Sequence, residues 1–199
     1  MTFGELLTDY FDAGFQYEND GVGGTLRANR RINAAYQELC ALENWPFLEN
    51  VVTGPAPLLI PNLANALSVI DLTTNTTLEE CDYDTLSKSN NPSTLGVPTH
   101  YWLSQGETIE VFPVAVHRIS VHCIVLPIDM ATTFAEPIVP TAYQEIILLG
   151  AIRRGHLDNG DAANYQLVNL EWQARVEAMR QAVLNPIRYQ TLVAGSQDD

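Results

Sequence analysis

RRINAAYQELCALENWPFLE, residues 30–49, decides how this chain is divided. Ile32, Ala35, Tyr36, Leu39 and Leu42 recur along one face of a helix. Asn44-Trp45-Pro46 ends that helix, because proline drives the residue before it out of the helical region. Trp45 and Phe47 bracket the proline, so two aromatics anchor the helix end to the β element that follows. Nothing catalytic is attached to the stretch.

Upstream, the pattern predicts a pair of helices. Thr2 and Glu5 have the spacing of a capping box, and Phe3, Leu6, Leu7, Tyr10 and Phe11 repeat at helical intervals over Thr2–Tyr17. ENDGVGG, residues 18–24, reads as a loop. Thr25–Glu43 is the second helix, roughly 30 Å long. A short glycine-rich link between them predicts antiparallel packing.

Downstream, the period changes to two. Val51-Val52-Thr53 and Leu58-Leu59-Ile60 are short strand-like runs. Leu67, Val69 and Asp71 alternate with Ser68, Ile70 and Leu72. Tyr101–Leu103 and Thr108–Phe112 flank Ser104-Gln105-Gly106, a hairpin signal. The clearest strand is Arg118–Leu126, with Ile119, Val121, Cys123 and Val125 on one face and Arg118, Ser120 and His122 on the other. Residues 84–98, with Asn90-Asn91-Pro92, read as a loop. The expected product is a small antiparallel sheet or sandwich with one wet face.

Helices then return. Pro140-Thr141 with Gln144 reads as a helix start, Asp158-Asn159-Gly160-Asp161 as stop, turn and start, and Asn185-Pro186 as the end of a last helix from Ala162. The expected fold class is α+β. A bundle of N- and C-terminal helix pairs (1–48 and 136–185) carries an inserted antiparallel β module (49–135) and ends in an extended tail (186–199).

The 199 residues carry 24 acids against 10 bases, a net charge of −14, and all the bases but Lys88 are arginine. The acidity is spread along the chain, which disfavours nucleic-acid binding, since phosphate needs a concentrated basic face. No apolar run is long enough to span a membrane, and the acidic N-terminus lacks the pattern of a secretory signal, so a cytoplasmic site of synthesis is expected. Three widely spaced cysteines, Cys40, Cys81 and Cys123, do not read as a disulfide framework.

The candidate chemistry is sparse. Gly21-Val22-Gly23-Gly24 lacks phosphate-loop spacing, and Asp158-Asn159-Gly160-Asp161 lacks a calcium-loop pattern. His100, His117, His122 and His156 have no zinc or triad spacing. No catalytic residue, cofactor site or metal site is therefore expected. Interface candidates remain. Glu79 and Glu80, in the acidic run to Asp84, read as a solvated face or a contact for a basic partner. Arg153 and Arg154 read as a solvated helix face, or as partners for acids of a neighbouring copy. Arg188, Tyr189, Leu192 and Val193 lie on the tail outside any periodic core, and could dock on a partner.

Three segments in this order, INAAYQELCALENWPFLE (32–49), GVPTHYWLSQGETIEVFPV (96–114) and PTAYQEIILLGAIRRGHLDNGDAANYQLVNLEWQARVEAMR (140–180), resemble the head–tail connector, or adaptor, proteins of tailed bacteriophages. The resemblance implies a structural virion protein of the neck. It implies a ring, usually of twelve copies, between the portal protein and a tail or tail-completion protein, helping to retain packaged DNA and to pass it through the lumen. Some such proteins dock on the portal through a C-terminal segment, here about 185–199. The alternatives are another neck or tail-completion component, or a small acidic enzyme using Asp158, His156 or the 79–84 cluster.

Overall fold

The architecture is that of a computed structural model, which describes residues 1–16, 22–84 and 94–184. The expected tail at 186–199, the Asn-Asn-Pro loop at 90–92 and most of the link at 18–24 lie outside these residues. Two compact units result: Met1–Phe47 with the chain from Pro127 onward, and Leu48–Leu126.

Among the described residues the first unit contains four α-helices: α1 (Phe3–Tyr10), α2 (Val22–Ala41), α3 (Glu145–Asp158) and α4 (Ala162–Leu184). The capping box forms at the start of α1: Glu5 N–H donates to Thr2 Oγ1 at 3.3 Å, and Thr2 N–H to Glu5 Oε2 at 2.7 Å. This satisfies two amides that a helix N-terminus would leave open. α1 ends sooner than its apolar spacing suggests. The chain passes into a wider π-type turn over Phe11–Phe15, where Gly14 takes φ 110°, a conformation closed to most side chains. Leu6, Tyr10, Ile32, Leu39, Trp45, Ile147 and Met179 form a core with no measurable exposure. Trp45 donates Nε1–H to the Leu39 carbonyl at 2.8 Å and stacks on Phe47 at 5.9 Å. The tryptophan thus caps a carbonyl of the helix that its own segment terminates.

Two glycines of α3 allow this packing. A Cβ at Gly150 would lie 2.9 Å from Ala35 Cβ and 3.1 Å from Trp172 Nε1. One at Gly155 would lie 2.5 Å from Phe15 Cε1 and 2.8 Å from the Tyr10 hydroxyl. At α3's other end Gly160 takes φ 71°, and Asp161 accepts from Asn164 N–H at 3.2 Å as the cap of α4.

The second unit overturns the expected fold class. It is no small antiparallel insert in a helical bundle. Seven strands make one sheet: β1 (Glu49–Pro55), β2 (Leu58–Leu59), β3 (Leu63–Asp71), β4 (Thr76–Glu80), β5 (His100–Ser104), β6 (Thr108–Phe112) and β7 (Arg118–Val125). Their order is β1-β7-β3-β4-β5-β6-β2. β1 and β2 sit at opposite ends of that order, yet only Ala56 and Pro57 separate them in the chain. The sheet must therefore curl until its ends meet, giving a nearly closed barrel. The chain as a whole is a mixed α/β protein.

The pairing is mixed as well. β4 and β5 run parallel, Glu79 against His100, whereas the other pairs are antiparallel. A parallel neighbour needs a long crossover, here the chain between Cys81 and Thr99, which local periodicity does not reveal. The inner face holds one core, including Ile60, Val69, Leu78, Tyr101, Ile109, Val111, Ile119, Val121 and Cys123. On β7, Ile119, Val121 and Cys123 point inward as their alternation requires. On β3 the alternation breaks. The register shifts between Ala66 and Ser68, so Ala66 is buried while Leu67 turns outward. A bulge of this kind moves one side chain to the other face without a sequence signature.

Cys40, Cys81 and Cys123 are free thiols. Among the described residues no helix is long and apolar enough to cross a membrane.

Candidate functional site

A hollow of the second unit opens along β4, β5 and β6 beside Trp102. Alternation along β5 sends Tyr101 into the barrel core and Trp102 outward. Trp102 packs with Phe112 of β6 and with Cys81 just beyond β4. Tyr83 leans on Trp102, with ring centroids 5.7 Å apart at 47°. Two adjoining hollows open beside this aromatic pair. One, of about 500 Å³, is lined by Glu80, Cys81, Asp82, Tyr83, Trp102 and Leu103. The other, of about 380 Å³, shares Tyr83, Trp102 and Leu103 and adds Ser104 and Glu110.

The lining is chemically one-sided. Glu80, Asp82 and Glu110 are its charged residues, and among the described residues no basic one borders either hollow. Cys81 donates Sγ–H to the Tyr101 carbonyl at 3.2 Å. Burial pushes the Cys81 thiol up, and the charges of Asp82 and Glu80 push it further the same way. It stays protonated, and a protonated thiol is a poor nucleophile. Burial, with the Glu80 carboxylate beside it, likewise raises the Tyr101 phenol. An aromatic wall with carboxylates around it suits a cationic side chain, which gains from the ring face and the negative rim together. Glu79 is not among the lining residues and lies 3.7 Å from His100 Nε2 on the neighbouring strand. Of the two sequence candidates, only Glu80 lines the groove.

The arginine candidates are engaged within the first unit. Arg153 donates from Nη2 to both Glu38 oxygens at 2.7 and 2.6 Å, and Arg154 to Glu38 Oε2 at 2.8 Å. Arg153 also donates to Asn169 Oδ1 at 3.0 Å and lies 4.2 Å over the Trp172 ring. One guanidinium therefore ties α2, α3 and α4 together. Burial acts to raise the Glu38 carboxyl, but the two arginines outweigh it and hold it below its ordinary value. With 11% of its side chain exposed, Arg153 is a structural clamp rather than an open contact. Arg188, Tyr189, Leu192 and Val193 lie outside the described residues.

Sequence reasoning passed over a further constellation. Asp71 ends β3 fully buried, and His117 Nδ1 lies 2.7 Å from its Oδ2. Thr73 N–H donates to Oδ1 and the Thr74 hydroxyl to Oδ2, each at 2.8 Å. Burial would raise this carboxyl, but these hydrogen bonds and the His117 charge prevail and bring it down to about 2. The carboxylate pins the β3–β4 turn to the chain entering β7. Its only signal in the sequence is an acid at an inward position of an alternating strand. Among the described residues, no three of His, Cys, Asp and Glu converge as a metal site would require.

The chain matches no family model and no curated protein.

Proposed function

We propose that this chain is a structural adaptor of the phage neck, assembling as a ring between the portal and the tail. The observation that carries the reading is the division of the chain. Helices from both ends of the sequence build one unit, and among the described residues every strand lies in the single stretch between them. The three resembling segments fall on that division: the end of α2 with Trp45, the β5–β6 hairpin, and α3 with α4. The acid-rimmed aromatic groove adds a place where an arginine or lysine of a neighbouring protein can dock. A net charge of −14 suits a lumen through which DNA slides without adhering.

The test is to mix the purified full chain with the portal protein of the phage that encodes it, and to weigh and image the product. A ring seated on the portal is expected, and removal of residues 186–199 should weaken docking without altering the fold. No ring and no portal binding would overturn the reading. Binding to isolated tails instead would assign the chain to tail completion.

A further inference from the structure

α4 is apolar on two opposite faces. Its buried residues, Trp172, Val176 and Met179, recur at spacings of four and three and form the face that packs on α3. At about 100° per residue, Ala163, Leu167, Leu170, Ala174 and Ala178 form a second stripe on the far side. All five are exposed, Leu167 at 66% and Leu170 at 64%. Among the described residues, intramolecular packing explains the first face and leaves the second exposed.

We infer that a second copy of this chain covers this face, packed antiparallel about a two-fold axis near Gln173. Charge is the first argument. Copies of a chain at −14 repel one another over most of their surface. α4 carries two acids, Glu171 and Glu177, against two bases, Arg175 and Arg180, so it is neutral. Its outer stripe holds no charge at all. Complementarity is the second argument. The leucines lie in the N-terminal half of the stripe and Ala174 and Ala178 in the C-terminal half. Antiparallel pairing about Gln173 sets Leu170 of one copy between Ala174 and Ala178 of the other, as a knob in a hole. Glu171 and Arg175 share one flank of the stripe, and the same register brings Glu171 of each copy beside Arg175 of its mate. A parallel pair would set leucine on leucine and carry the Glu171–Arg175 flanks of the two copies to opposite sides.

The stripe is about 22 Å long, and at a helix width of about 11 Å it covers on the order of 250 Å². That is about a third of the ~800 Å² per partner in a stable complex. The dimer is therefore weak and forms at high protein concentration. A two-fold pair closes on itself, unlike the head-to-tail contact of a ring, so the inference does not rest on the adaptor reading.

Sedimentation velocity on the full chain, from about 5 to about 500 µM, tests it in the concentration range that weak association requires. Wild-type protein should move from monomer towards dimer. Leu170→Asp should stay monomeric throughout, with unchanged helical circular dichroism. Arg175→Glu should weaken association several-fold, and the swap Glu171→Arg with Arg175→Glu should restore it. Wild-type protein that stays monomeric at the highest concentration would overturn the proposal. So would association indifferent to Leu170→Asp, even where a ring forms on the portal. Should Leu170→Asp lose helicity, the Arg175→Glu and swap pair decides: a swap that fails to recover association refutes the register.

Discussion

Gly155→Ala sets helix propensity against packing, and the two effects have opposite signs. In an open helix, replacing glycine with alanine stabilises by about 1 kcal/mol. At Gly155 the new methyl would lie 2.5 Å from Phe15 Cε1 and 2.6 Å from Cζ. Carbon atoms pack at about 3.5–4.0 Å, so something must move by about 1 Å. The ring has little room to move. Phe15 stacks on Tyr10 at 4.6 Å and meets His156 edge-on at 5.2 Å. Tyr10 in turn accepts from Arg31 Nη1 at 2.7 Å, while Arg31 Nε donates to Asp158 at 2.8 Å. Overpacking costs about 1–3 kcal/mol, and loosening a hydrogen bond to a charged donor adds about 1 kcal/mol. The net expectation is a loss of about 1–3 kcal/mol. Urea unfolding followed by circular dichroism at 222 nm would measure it. Gly23→Ala in α2 is the control, since nothing lies within 4 Å of its added Cβ, and it should leave stability unchanged or slightly raised. The double variant with Phe15→Leu should recover about 1 kcal/mol relative to additivity. A Gly155→Ala protein as stable as wild type would refute the close approach of α3 to the aromatic pair.

Two further outcomes follow from the ion pairs. The Asp71 carboxyl is lowered from 3.8 to about 2, so its contribution is complete above its ordinary value and disappears as pH falls through the folded one. The shift is worth about 2 kcal/mol, lost between about pH 4 and pH 2. Asp71→Asn should flatten acid unfolding of the barrel in that window; an unchanged acid limb would count against the buried pair. Glu38→Ala should destabilise the helical unit by about 3 kcal/mol, because it strands the buried Arg153 charge. Replacing Glu38 and Arg153 together should cost less than the sum of the two single changes, and strict additivity in thermal melts would show that the clamp does not couple.

The helices were legible because each carries its own signals. The Thr2–Glu5 box, the Trp45-Pro46 stop, and Gly160 with Asp161 are local chemistry, and all lie at or near helix boundaries in the structure. The barrel was not legible, because closure is a property of partners. β2 is two residues long, and β4 offers only Leu78 to the core. The parallel β4–β5 pairing depends on where a long crossover lands, and the β3 bulge reverses Leu67. The groove was half legible: the acidic run marks Glu80 and Asp82, but Trp102 joins them only through that same pairing. The internal pairing of Arg153 and Arg154 was not legible, because an exposed and a clamped arginine look alike until Glu38, far away in sequence, is placed beside them.

The pairing of β1 with β7, Glu49 opposite Ile124, has a consequence for synthesis. It brings the point where the chain leaves the helical unit to within about 5 Å of where it starts back. An unstructured loop of about eighty residues would cost about 4 kcal/mol to close. Once the strands have paired, that closure is already made. On the ribosome every strand emerges before α3 does, so α1 and α2 must wait for helices that come last, while the barrel is complete early. The folded barrel then serves as a clasp. It shortens the search by which the two ends of the chain find each other.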